Sequence, residues 1–75
     1  MSDDFSFEII KNLGTVAEGK AGWCLELNLV SWGGRLAKYD LRSWSPDHQK
    51  MGKGCTLSAE ELSSLKDLLN KVEIN

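Results

Sequence analysis

A chain of 75 residues with nine Lys or Arg against eleven Asp or Glu makes one small domain, residues 1–75, that buries only about 60% of its unfolded surface. A core that small needs support from disulfides, a metal or association. The acidic opening MSDDFSF is no signal peptide, and no apolar run reaches the ~20 residues of a membrane span. A cytoplasmic protein is therefore expected. Its two cysteines, Cys24 and Cys55, read as reduced, small, buried hydrophobes. That leaves homodimerisation as the source of missing burial.

The net charge of −2 argues against nucleic acid, but its distribution does not. Between Lys20 and Gly54 stand six cations (Lys20, Arg35, Lys38, Arg42, Lys50, Lys53) against three acids, a local +3; the remainder holds three cations against eight acids, −5.

In chain order, Phe5 to Val16 reads as a first strand, with Phe5, Phe7 and Ile9 alternating with Ser6, Glu8 and Ile10 and Gly14 marking a bulge or an end. Ala17 to Gly22 is a turn. Trp23 to Trp32 is a second strand in which Leu25, Leu27 and Leu29 alternate with Glu26 and Asn28. Val30 and Trp32 then break phase, which implies a bulge or two apolar faces. Gly33-Gly34 signals a hairpin. Lys38 to Trp44 is a third strand, with Tyr39 and Leu41 on one face and Lys38, Asp40, Arg42 and Trp44 on the other. Pro46 ends it, and a short fourth strand runs from Gly52 or Lys53 to Leu57. Ser58 followed by Glu61 is a capping box. The helix it opens carries an apolar stripe, Leu62, Leu65, Leu69 and Val72, widened by Leu68. The fold class is α+β: a four-stranded antiparallel sheet and one C-terminal helix (ββββα), with the helix on one face and the other face open.

Catalysis has little to work with. His48, the one histidine, sits in a polar turn and reads as solvated or bonded within that turn, without the pocket and orienting partner a general base needs. Cys24, His48 and Cys55 lack the spacing of a zinc site, and no cofactor or catalytic residue is expected. Gly52-Lys53-Gly54 is not a phosphate loop; it is either a tight approach of backbone to a phosphate or a plain turn. Tryptophans interleaved with cations suit single strands, since bases stack on rings while phosphates meet positive charge. Core packing is the default for Trp23 and Trp32. Trp44, in phase with Arg42 and Lys38, is the expected stacking residue. The candidate contacts are Lys20, Trp23, Trp32, Arg35, Lys38, Arg42, Trp44, Lys50 and Lys53, and the candidate dimer interface is Leu62, Leu65, Leu69 and Val72.

Tyr39-Asp40-Leu41-Arg42 leading to Trp44, then Lys50-Met51-Gly52-Lys53-Gly54, Thr56-Leu57-Ser58 and Glu61-Leu62 together resemble the single-stranded DNA-binding domain of the transcriptional coactivator positive cofactor four. Phe7-Glu8-Ile9-Ile10, Gly22-Trp23, Val30-Ser31-Trp32 and the turn Ser45 to His48 match its bacterial YdbC-like branch. The resemblance runs from about Phe7 to Val72. It implies a homodimer of ββββα subunits whose curved sheets bind single strands with little sequence preference and no catalysis, and it matches Arg42, Trp44, Lys50 and Lys53 to the family's contacts. It also implies a nucleoid-associated role in transcription regulation or DNA maintenance, with RNA and the transcription machinery as further candidate partners. The second strand, less basic than the family often has, implies weaker binding and a shallower salt dependence. The competing reading is a protein-interaction module that docks a peptide or polymerase subunit.

Overall fold

The computed structural model describes residues 6–74. Phe5, the expected start of the first strand, lies outside the described residues. Strands β1 (Phe7–Glu18), β2 (Cys24–Trp32), β3 (Lys38–Trp44) and β4 (Met51–Leu57) form one antiparallel sheet in the order β1-β2-β3-β4, followed by helix α1 (Ala59–Leu69). This is the expected ββββα layout. Strand β1 runs past Val16 because Ala17 and Glu18 still pair with Leu25 and Cys24. Its register slips three times, and β3–β4 slips once between Arg42 and Trp44; each slip bends and twists the strand it interrupts. Among the described residues no helix is long and apolar enough to cross a membrane.

Register settles the faces. Cys24 opposes Trp44, Glu26 opposes Arg42, Asn28 opposes Asp40 and Val30 opposes Lys38, so these residues share one side of the sheet. Leu25, Leu27 and Leu29 oppose Ser43, Leu41 and Tyr39 on the other side. The phase break at Val30 and Trp32 is thus a second apolar face rather than a bulge, since β2 pairs with β3 without a slip.

Helix α1 lies on the leucine face, over β3 and β4. Ser58 Oγ accepts from the Glu61 amide at 3.1 Å and Glu61 Oε1 accepts from the Ser58 amide at 2.8 Å, which completes the capping box. Leu62, Leu65 and Leu69 line an open groove with Leu27. Val72, expected on the helical stripe, lies beyond the end of α1 and is exposed. Leu25, Leu27, Leu29, Leu41, Leu62 and Leu65 remain only half-buried. The fully buried apolar side chains, Val30 and Trp44, belong to the opposite face. Cys55, expected to be buried, is an exposed free thiol, because it opposes Leu41 on the face that α1 leaves partly open.

Two glycines are sterically required. The η turn Lys20–Gly22 joins β1 to β2, and Gly22 sits there at φ +80 against the ring of Pro46. This contact ties the β1–β2 turn to the β3–β4 turn at one end of the sheet. At Gly54 an added Cβ would collide with Arg42 Cβ and the Leu41 carbonyl, so only glycine lets β4 pass so close to β3. Gly54→Ala should therefore lower stability by ~1–3 kcal/mol, read as a lower urea midpoint with unchanged slope.

Candidate nucleic-acid interface

The face away from α1 is built on buried polar groups. Asp40 is fully buried, and an unpaired carboxylate there would be prohibitively desolvated. Arg42 meets it as a fork, Nε to Oδ1 at 2.6 Å and Nη2 to Oδ2 at 2.9 Å, while Thr56 Oγ1 donates to Oδ2 at 3.0 Å. The remaining guanidinium nitrogen donates to the Gly52 carbonyl at 3.4 Å, and the guanidinium carbon sits 5.0 Å from the centre of the Trp32 ring. The Arg42 side chain is 16% exposed. Expected as a phosphate contact, it is instead a cation neutralised inside the sheet, with little surface or charge left for a ligand.

Trp44 requires a larger correction. Its ring has no exposed surface; Phe7 covers it at 5.2 Å between ring centres, and the His48 imidazole stacks on it at 5.6 Å and 30°. A ring enclosed on both sides offers no face to a base, so Trp44 is a core residue. Phase correctly assigned its side of the sheet, but the loop that follows folds back over it. Among the described residues the aromatic rings that reach solvent on this face are Phe7 and Trp32, both half-buried and 5.9 Å apart. The indole N–H groups of Trp32 and Trp44 are buried without an acceptor among the described residues, so packing and stacking alone hold them.

His48, expected to be solvated or bonded within its turn, is part-exposed and bonded in the turn through its amide, but its imidazole also pairs outside the turn. Its Nε2 lies 3.0 and 3.1 Å from the two oxygens of Glu26, and its backbone takes the left-handed conformation at φ +59. Such a conformation persists only when neighbours over-determine it. Here the loop does so: the Ser45 carbonyl accepts from the His48 amide at 2.9 Å, Ser45 Oγ accepts from the Lys50 amide at 3.0 Å, and the Ser45 hydroxyl donates to Asp47 Oδ1 at 2.8 Å. The Gln49 amide and that hydroxyl hold the Asp47 carboxyl below its ordinary range. Glu26 also accepts from Asn28 at 3.2 Å, and Asn28 accepts from Asn12 at 2.7 Å. Glu26, Asn28 and His48 were not read as site residues from sequence, yet a signal existed: Glu26 and Asn28 share phase with Val30 and Trp32, so they had to be buried polar groups.

Four exposed cations stand at the two ends of the sheet. Lys20 in the η turn and Lys50 beside β4 lie at the end where Gly22 meets Pro46; Arg35 and Lys38 lie at the β2–β3 end. Lys53 is exposed on the edge strand β4. Trp23 is half-buried just ahead of β2, with its ring edge close to Gly52 of β4.

The family model described as Transcriptional Coactivator p15 (PC4) matches residues 20–68, about two thirds of the chain. An uncharacterised protein of Treponema pallidum is 49% identical over 75 residues, covering 100% of this chain and 88% of the relative.

Removing Arg42 should expose its structural role. Arg42→Ala strands a buried carboxylate and should cost ~3–5 kcal/mol of stability, and Trp44→Ala should cost a similar ~3–5 kcal/mol. Lys38→Ala and Lys53→Ala should stay within about 0.5 kcal/mol of the parent in urea denaturation.

Proposed function

The chain belongs to the Transcriptional Coactivator p15 (PC4) family, and we propose that it is a non-catalytic, homodimeric single-stranded DNA-binding protein with little sequence preference. Its expected setting is transcription regulation or DNA maintenance, in the cytoplasm and at the nucleoid. One observation carries this reading: a sheet face bears half-buried Phe7 and Trp32, and the segments at the two ends of that sheet bear exposed Lys20 and Lys50 at one end and Arg35 and Lys38 at the other. Unpaired bases offer flat faces to such rings while their phosphates meet the flanking cations. A duplex hides those base faces in its stack.

The dimer reading rests on the leucine face. An open groove of about 330 Å³ is lined there by Leu27, Leu62, Leu65 and Leu69, and Leu68, Leu69, Val72 and Ile74 of the C-terminal segment are exposed. A second copy burying that surface would supply the core that one chain leaves incomplete. This also accounts for the helical leucines better than a surface kept in water.

Fluorescence anisotropy should give tighter binding to single-stranded than to duplex DNA of equal length. Affinity should fall with salt, and Lys38→Ala or Lys50→Ala should each flatten the log–log slope by about 0.7. Equal affinity for both forms, or binding that ignores salt, would instead favour an apolar protein-docking surface. In light scattering the protein should have twice the mass of one chain at micromolar concentration, and Leu65→Asp should halve it; a parent protein that is already monomeric would overturn the dimer.

A further inference from the structure

A concavity of about 230 Å³ opens on the same face, between β1 and β2, lined by Ile9, Asn12, Thr15, Glu26, Asn28 and His48. Its floor is polar and buried: Asn28 is 0% and Glu26 6% exposed. Asn12, Asn28 and His48 all approach Glu26 Oε1, at 3.4, 3.2 and 3.0 Å, whereas Oε2 has His48 alone at 3.1 Å. Among the described residues, Asn12 Oδ1 accepts no hydrogen bond. Glu26 Oε2 and Asn12 Oδ1 are thus the least satisfied acceptors among the residues that line the concavity. A carboxylate set into a face that meets DNA repels phosphate, so it is useful only against a group that brings N–H donors. The imidazole that holds Glu26 also forms a wall. One of its faces rests on Trp44 while its side chain is 40% exposed. A base stacked on the outer face brings its edge over the carboxylate.

Resting on the single-stranded DNA reading above, we infer that this concavity is a guanine-selective base subsite within otherwise sequence-tolerant binding. Splayed bases are read along their Watson–Crick edges. Guanine alone presents two adjacent donors there, N1–H and the N2 amino group. Adenine and cytosine set one amino group beside a ring acceptor, and thymine flanks its single N–H with two carbonyls. Only guanine meets an acceptor-rich site without placing a lone pair against a carboxylate. The left-handed His48, locked between Glu26 and Trp44, keeps the wall in place before any strand arrives.

The test compares a short thymidine oligonucleotide with the same strand carrying one central guanine, hypoxanthine, adenine or cytosine, by anisotropy at fixed salt. One guanine should tighten binding by about tenfold. Hypoxanthine, which lacks the N2 amino group, should retain part of that gain, and adenine and cytosine none. Glu26→Gln replaces an acceptor with a donor and should bring the guanine-to-thymine ratio close to one. Asn12→Ala, at an exposed position, should reduce the same ratio and serves where Glu26→Gln does not fold by circular dichroism. Equal affinity for all five strands overturns the subsite and leaves the broader DNA reading standing, as does a guanine preference that survives in both variants. Failure to bind any of the strands overturns both readings.

Discussion

The buried carboxylate of Asp40 is the constraint on which the open face depends. A charge in a fully buried position is tolerable only with a paired and hydrogen-bonded partner. Meeting that demand takes Arg42 from the same strand and Thr56 from β4, with the Gly52 carbonyl holding the far side of the guanidinium and Trp32 of β2 beneath it. Three strands are thereby held together around one side chain. Such a fork contributes less to net stability than to uniqueness, because an apolar replacement of equal volume is often as stable. Here it links β3 to β4 through Thr56, beside Gly54, whose missing side chain leaves room for Arg42 Cβ and the Leu41 carbonyl.

With Arg42 committed to Asp40, the middle of the face has no free guanidinium to offer a phosphate. In the proposed binding mode attraction for phosphate would come from Lys20, Lys50, Arg35 and Lys38 at the two ends and Lys53 on the edge strand, where charge is screened by salt and acts over about a Debye length of 8–10 Å. The middle is left for rings and base edges. In the proposed binding mode affinity and discrimination would be separated in space: cations at the rim would meet a backbone that every sequence shares, while Phe7, Trp32 and the Glu26 cluster would meet the bases.

Much of the fold was legible because its local signals agree. The Ser58 and Glu61 cap, the period-two leucines of β2 and the alternation through Lys38 to Trp44 each point to one element, and register bears out the faces assigned to β3. The site was legible only in part. Alternation gives the side of the sheet on which Trp44 lies but not what later folds over it. The loop from Ser45 to Lys50 covers Trp44 through a left-handed residue that is not glycine, held by contacts with β2 more than twenty positions earlier. No spacing rule anticipates such a contact. The pairing of Arg42 with Asp40 was closer to hand, two residues apart on one face, since a carboxylate in phase with a buried tryptophan has to find a cation.

The two faces of the sheet therefore fail to be self-sufficient in different ways. The open face is closed by charge pairing and stacking within the chain, and what it leaves at the surface is rings, acceptors and rim cations. Among the described residues the leucine face shows no such polar network, and α1 packs mainly on the β3 and β4 side. Hydrophobic burial is non-directional and scales with area, so a second apolar surface satisfies that face as well as a larger core would. A polar face cannot be completed this way, because each donor and acceptor needs a partner in place. An internally paired face can thus stay ready for a ligand in every copy of the chain, while the apolar face is free to be spent on association.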